Sequence, residues 1–347
     1  MKVYLAIHIQ KKRFVELMKT SEKYDILKKK NIIITENINE ADLLIFLINS
    51  SKNMTNINET DKKMLKESNV PVVILERFDS SVSWFREFDM IPNLKAIIKN
   101  RLIEPIENMN SEYFYGRYHY RLMYDTYYKE TNTNKFKEKD LSNSIYSGLK
   151  TLSTISPENL KKFHHILWDF NSSPLSKTCR FFRNSEIDFN KIRTHDVFCV
   201  NRNKSGIQGW ARNKAKFIIN NMKDLNVVTN GLSQNDYNEK LINSKIGVAC
   251  WGWGEWIHMD ASAMYGGTIL IKPDSGYIRM YPEIYINNKT YIPCKPDYSD
   301  LEEKIRYILD NYDNLLDMRK KNREFLLSIN HKNCTEKFWD KIQELKN

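Results

Sequence analysis

The chain has 347 residues, 41% of them apolar and 12% aromatic, which suits two domains with a core each and excludes a disordered protein. Its 54 Lys and Arg against 43 Asp and Glu give a formal net charge of +11, a balance that favours anionic partners such as nucleotides, nucleic acid or an anionic lipid surface. No apolar run reaches the roughly 20 residues of a bilayer-spanning helix, and the five cysteines, Cys179, Cys199, Cys250, Cys294 and Cys334, are scattered without a Cys-x-x-Cys pair, so an integral membrane protein and a zinc site are excluded and a cytoplasmic location is expected, with at most peripheral attachment to a membrane.

From the N-terminus, Val3 to Ile9 is an apolar stretch too short for a signal peptide and predicts a first strand. Lys11 to Lys30 has the length and polarity of a helix, and strands follow at Ile32–Thr35, Ala41–Ile48, Val70–Leu75 and Leu94–Ile98, with a helix at Glu59–Ser68. The alternation predicts an open α/β sheet. It lacks Gly-x-Gly-x-x-Gly, which argues against a bound NAD. Residues 105–150 are polar and rich in tyrosine, and Tyr113-Phe114-Tyr115-Gly116-Arg117-Tyr118-His119-Tyr120 suits either stacking on sugars or bases or simple packing of a loop. Ser156 and Pro157 mark the start of a helix predicted to run to Phe170, and Asn171–Pro174 reads as a linker.

A second α/β unit opens with the strand Asp196–Val200 and continues with a helix over Ala211–Lys223, the strand Asn226–Thr229 and a helix over Tyr237–Asn243. Lys245–Cys250 is then a short apolar run of the kind buried in a parallel sheet. It leads into Trp251-Gly252-Trp253-Gly254-Glu255-Trp256, a helix, the stop Gly266-Gly267, and the strand Thr268–Ile271. Glycines at that turn permit close approach of a ligand. A helix starting near Trp256 would offer its free N–H groups to an anion such as a phosphate.

Beyond that strand come Lys272-Pro273-Asp274, Tyr281-Pro282-Glu283 and the acidic helix start Asp300-Leu301-Glu302-Glu303. In this order the segments resemble the C-terminal nucleotide-sugar domain of GT-B glycosyltransferases, in particular the exostosin-like and family 1-type enzymes, over roughly residues 190 to 325. Ser244-Lys245 falls on the start of the motif strand, Gly252-Trp253-Gly254-Glu255 on the glycine turn, Asp260 on the family's Asp, and Leu270-Ile271-Lys272-Pro273-Asp274 on the second strand and its exit. The chain departs from the pattern at Met259, where the family has Arg, and at Ser262, where it has the Glu that commonly holds the donor ribose. A hydroxyl cannot make the charge-assisted pair a carboxylate makes with a diol.

The resemblance implies two Rossmann-like domains facing a cleft. Residues 1–175 would form the acceptor-side domain, 176–325 the nucleotide-sugar domain, and 326–347 a helix crossing back to the first domain. It also implies sugar transfer from a UDP- or GDP-sugar to a glycan, lipid-linked or protein acceptor. A DNA-modifying glucosyltransferase and a degenerate glycan- or nucleotide-binding domain are the competing readings.

Leaving diphosphate calls for positive charge. Arg212 falls where the resemblance places an Arg, and Arg202 and Lys216 lie within a turn or loop of it. No Asp-x-Asp is present, so the donor is expected to bind without a metal, and no cofactor is expected. Gly252, Trp253, Gly254, Glu255, Asp260 and Ser262 complete the expected donor-binding set, Trp253 stacking on sugar or base or packing in the core. His258 would face the donor sugar or phosphate or be packed. In Glu76-Arg77-Phe78-Asp79, Asp79 is the candidate base of an inverting reaction, or a cap for the turn at Ser80-Ser81.

Overall fold

The computed structural model describes residues 1–6, 11–49, 57–77, 81, 83, 85–114, 117–131, 149–151, 154–170, 173–201 and 205–346. The first sheet contains β1 (Lys2–Ala6), β2 (Ile33–Thr35), β3 (Leu43–Asn49), β4 (Val72–Arg77), β5 (Leu94–Lys99) and β9 (Phe163–His165), all parallel, in the order β2-β1-β3-β4-β5-β9. Its central strands are covered on both faces, which is why Leu43 to Ile48 and Val72 to Leu75 are uninterrupted apolar runs. One face packs against α3 (Glu59–Lys66) through Leu65 and against Phe85 and Phe88. The other carries α1 (Lys11–Lys23) and the last helix, α12 (His331–Lys346), whose Phe338, Trp339 and Ile342 lie in one cluster with Phe14 and Leu17. Trp339 Nε1 donates to Ser21 Oγ at 2.9 Å beneath that interface.

Two predicted helices are shorter than expected. The first breaks at Asp25, whose φ of 52° is left-handed, and resumes as the single turn α2 (Ile26–Lys29). The helix expected over 157–170 is only the turn α5 (Pro157–Leu160). Ser156 caps it as predicted, but Phe163–His165 leaves it to pair with Ile97–Lys99 at the sheet edge. The open edge of β5 offers a full ladder of backbone partners, and this outweighs a local helix start.

The second sheet is built of β10 (His195–Phe198), β11 (Val227–Val228), β12 (Ser244–Val248), β13 (Ile269–Pro273) and β15 (Ile292–Cys294), parallel, in the order β11-β10-β12-β13-β15. Its helices are α6 (Arg180–Asn184), α7 (Gly206–Asn221), α8 (Gln234–Ile242), α9 (His258–Tyr265), α10 (Leu301–Asp310) and α11 (Leu316–Ser328). One more comes from the first half of the chain. In α4 (Tyr118–Thr131), Tyr120, Met123 and Tyr127 lie in one core with Ile207, Ala211 and Ala215 of α7 and Ile246 and Val248 of β12. The polypeptide therefore enters the second core at α4, returns to the first sheet at β9, enters the second sheet again at β10 and comes back to the first core at α12.

Two antiparallel pairs complete the strands. β7 (Glu112–Phe114) pairs with β8 (Leu149–Thr151), and β6 (Arg101–Ile103) pairs with β14 (Ile278–Met280), directly linking the two halves. Glu104 N donates to Tyr277 O at 2.7 Å and Arg279 pairs with Glu104 beside this link. All five cysteines are free and buried. No helix among the described residues is long and apolar enough to cross a membrane.

Candidate functional site

From β10 the chain goes to β11 on one side and then to β12 on the other, so the loops leaving β10 and β12 diverge and open a crevice at the carboxyl edge of the second sheet. The Gly252–Gly254 turn leaves β12 at this place. Opposite it, α7 carries Arg212 and Lys216 four residues apart, on one side of the helix. With its amide oxygen turned toward them, Gln208 accepts from Trp253 N and from Arg212 Nη2, each at 3.2 Å, which ties the turn to the guanidinium. Lys216 Nζ donates to Asn201 O at 3.1 Å, on the loop leaving β10. Gly252 N donates to Gly254 O at 3.1 Å. A Cβ at 252 would stand 3.0 Å from Ile257 Cγ2, closer than an ordinary contact. Trp253 is 51% exposed at the rim, so it is not a core residue.

Glu255 does not point into this crevice. It is fully buried, and its carboxylate accepts from Ser81 N at 3.0 and 3.2 Å and from Ser81 Oγ at 2.8 Å, on the loop leaving β4 of the first sheet. His119 Nδ1 lies 3.4 Å away. Arg101, just past the carboxyl end of β5, adds its charge and stacks 5.9 Å from the Trp256 ring. Burial works to raise the Glu255 carboxyl, but His119, Arg101 and the hydrogen bonds together hold it far below the usual carboxylate range. Glu255 was expected to hold donor hydroxyls; in this structure its oxygens join the two halves of the molecule. His119 Nε2 faces Gly252 O at 3.3 Å, and Tyr120 Oη donates to the same carbonyl at 2.7 Å. Burial pushes the His119 imidazole down, with Glu255 opposing.

Asp260 and Ser262 also have their partners within the protein. Asp260 is buried under α9, where it takes Lys272 Nζ at 2.9 and 3.2 Å, Tyr285 Oη at 2.5 Å and Ile257 N at 3.0 Å. Every part of that carboxylate is engaged, and its bond to Ile257 N caps the end of the helix that was expected to receive an anion. Ser262 is 2% exposed and turns toward Cys179 Sγ, 3.9 Å away, so its side chain packs in the core. His258 Nδ1 lies 3.1 Å from Ser176 Oγ, with its ring against Trp256. The structure ties Arg212 through Gln208 to the Gly252–Gly254 turn, with Lys216 one turn further along α7, while Asp260, Ser262 and His258 bond to other groups. Asp79 and Arg202 lie outside the described residues.

Several residues at the junction carry no sequence signal of their own. Glu76, next to last in β4, and Lys99, the last residue of β5, form a fully buried pair, Nζ to Oε2 3.4 Å. Burial pushes the Lys99 ammonium down and Glu76 opposes it. Lys99, Arg101 and Ser81 are an ordinary lysine, arginine and serine in sequence. Their burial at adjoining carboxyl strand ends is visible only once both sheets are placed. His119 sat in the tyrosine-rich segment, where stacking and packing were both open; it packs, with rings of Tyr120 and Trp251 at 4.3 and 5.4 Å.

No protein-family model matches the chain, and no curated protein matches it in sequence. In fold it is similar to an alpha-glucosyltransferase in complex with UDP-glucose and DNA containing an abasic site, at 10% identity and TM-score 0.44, covering 100% of this chain and 99% of that one. It is similar also to HepE of Anabaena in complex with UDP-glucose, at 9% identity and TM-score 0.45, covering 99% and 100%. A third is BGT of T4 phage in complex with its UDP-glucose substrate, at 11% identity and TM-score 0.41, covering 100% of both chains. The chain itself has two parallel Rossmann-like sheets, with the C-terminal helix returned to the first.

Proposed function

We propose that the protein is a glycosyltransferase that moves a sugar from a nucleotide-sugar donor, with the donor diphosphate held between α7 and the Gly252–Gly254 turn. One observation carries this reading: at the switch point of the second sheet, the backbone turn is tied through Gln208 to the Arg212 guanidinium, with Lys216 one helical turn further on. Departure of a nucleoside diphosphate builds negative charge on its oxygens, and a guanidinium presents paired donors to them. Two fixed cations at that place supply the stabilisation for which other transferases use a metal, so transfer without a divalent ion is part of the proposal. The first domain, through the carboxyl ends of β4 and β5, forms the acceptor side, and Asp79 just beyond β4 is the candidate base for an inverting reaction.

The test is donor hydrolysis and thermal stabilisation across UDP-, GDP-, ADP-, CMP- and TDP-sugars, with and without EDTA. Selective turnover that survives EDTA and falls about 10- to 100-fold in Arg212→Ala, the loss of one charge-assisted contact, is expected. Absence of both binding and turnover with every donor would overturn the reading, and binding without hydrolysis would point to a degenerate domain. For the acceptor, a glycan, lipid-linked or protein hydroxyl is the first reading. The net charge of +11 favours duplex DNA as the second, and salt-dependent duplex binding is its mark.

A further inference from the structure

The Gly252–Glu255 turn is held from outside by side chains that the motif itself does not supply, and one of them reaches both of its ends. His119, at the start of α4, is fully buried and touches both ends of the turn: Nε2 is 3.3 Å from Gly252 O and Nδ1 is 3.4 Å from Glu255 Oε1. Tyr120, the next residue, doubles the hold on the Gly252 carbonyl. The imidazole cannot drift, because Tyr120 and Trp251 pack against it. On the far side, Glu255 is anchored to Ser81 of the first half, and between the two ends Trp253 N is bound by Gln208, which also binds Arg212. Shifting either end of the turn therefore moves Trp253 N relative to the guanidinium.

We propose that His119 is a positioning residue for the donor site: by spanning Gly252 and Glu255 it sets the distance between the backbone of the turn and Arg212. The inference rests on the glycosyl-transfer reading above for its consequence, but not for the geometry. His119 reaches no reacting atom; it acts through the turn, and its removal changes how well the donor is seated.

The experiment compares wild type with His119→Ala, His119→Gln and Tyr120→Phe, and with Trp339→Phe as a control that loses a buried hydrogen bond far from the turn. In steady-state kinetics, His119→Ala is expected to raise the donor KM about tenfold, the worth of one buried hydrogen bond, with kcat within about twofold. His119→Gln keeps an N–H for the Gly252 carbonyl and should recover most of the loss, whereas Trp339→Phe should lower the melting temperature and leave KM alone. A donor KM in His119→Ala equal to that of wild type, with only the melting temperature lowered, would overturn the proposal. A second reading needs no donor: amide hydrogen exchange over residues 252–257 should be about tenfold faster in His119→Ala than in Trp339→Phe, and equal exchange overturns the proposal. If His119→Ala does not fold, His119→Gln and Tyr120→Phe carry the same measurements, with a smaller rise expected for each and no rise in either overturning the proposal. Wild type that turns over no donor but shows the exchange difference would sink the transferase reading and leave the role of His119 in the turn standing.

Discussion

Asp260 illustrates how a carboxylate in a motif position can serve the frame of the site. It lies with Lys272 and Tyr285 in a region without water-accessible surface, and replacing it with alanine leaves an uncompensated ammonium. Asp260→Ala is expected to cost about 3–5 kcal/mol in urea denaturation, and a loss under about 1 kcal/mol would show that the pair is not the frame of α9. Glu255 makes a prediction in pH. Its folded-state pKa is depressed, so its contribution to stability is fully present above the unfolded carboxylate value, near about 4.3, and is lost as pH falls toward the folded value. Wild type should lose stability below about pH 4.5 faster than Glu255→Gln, measured as the difference between their denaturation midpoints; parallel curves would contradict the depressed value. Arg212 and Lys216 were legible in the sequence because the strand, loop and helix that place them are local. The partners of Glu255 were not, since Ser81 lies 174 residues away and only the meeting of two sheets brings it there.

Among the elements, α9 is held at both ends by groups from elsewhere. Asp260 caps its start, while Arg193 and Arg319 donate to the carbonyls of Gly266 and Gly267 and Arg323 to that of Tyr265 at its finish, where cations suit the helix dipole. Gly267 sits at φ +67°, with Phe189 Cε1 2.7 Å and Arg193 Nη2 3.2 Å from where a Cβ would be. Gly267→Ala is therefore expected to destabilise by more than about 1 kcal/mol in chemical denaturation, from strain and contact together; a neutral result would mean that the stop after α9 is loosely packed. The sequence announced this stop by two adjacent glycines, and it announced β3, β4, β5, β12 and β13 by their continuous apolar runs, but not β15. It misplaced β9 for a physical reason. Ser156 and Pro157 do start a helix, but no local feature shows that an unpaired edge of β5 waits six residues later.

Across the whole molecule, each core contains one helix taken from the other half of the chain, and β6 with β14 and Glu255 with Ser81 fasten the halves together. Heating in a calorimeter should accordingly give one transition, and two well-separated ones would show that the cores melt independently. Removal of α12 strips Phe338, Trp339 and Ile342 from the first core, each a side chain whose loss costs about 2–5 kcal/mol, a sum comparable with the whole stability of a typical domain. The two sheets could be anticipated from element order, and the returning helix only from the family resemblance. The crossing of α4 could not, because its apolar stripe of tyrosines and methionine fits either core equally well. Synthesis runs from the N-terminus, and this gives the exchanged helices a meaning in time. β9 completes the first sheet at residue 165, yet the helix that covers its face ends at residue 346, so at ordinary translation rates that apolar face waits on the order of ten seconds or more for its cover. During that interval the nascent chain presents Leu43, Ile45, Val73 and Leu75 without their final neighbours, and a chaperone that holds exposed apolar sheet would find its substrate there.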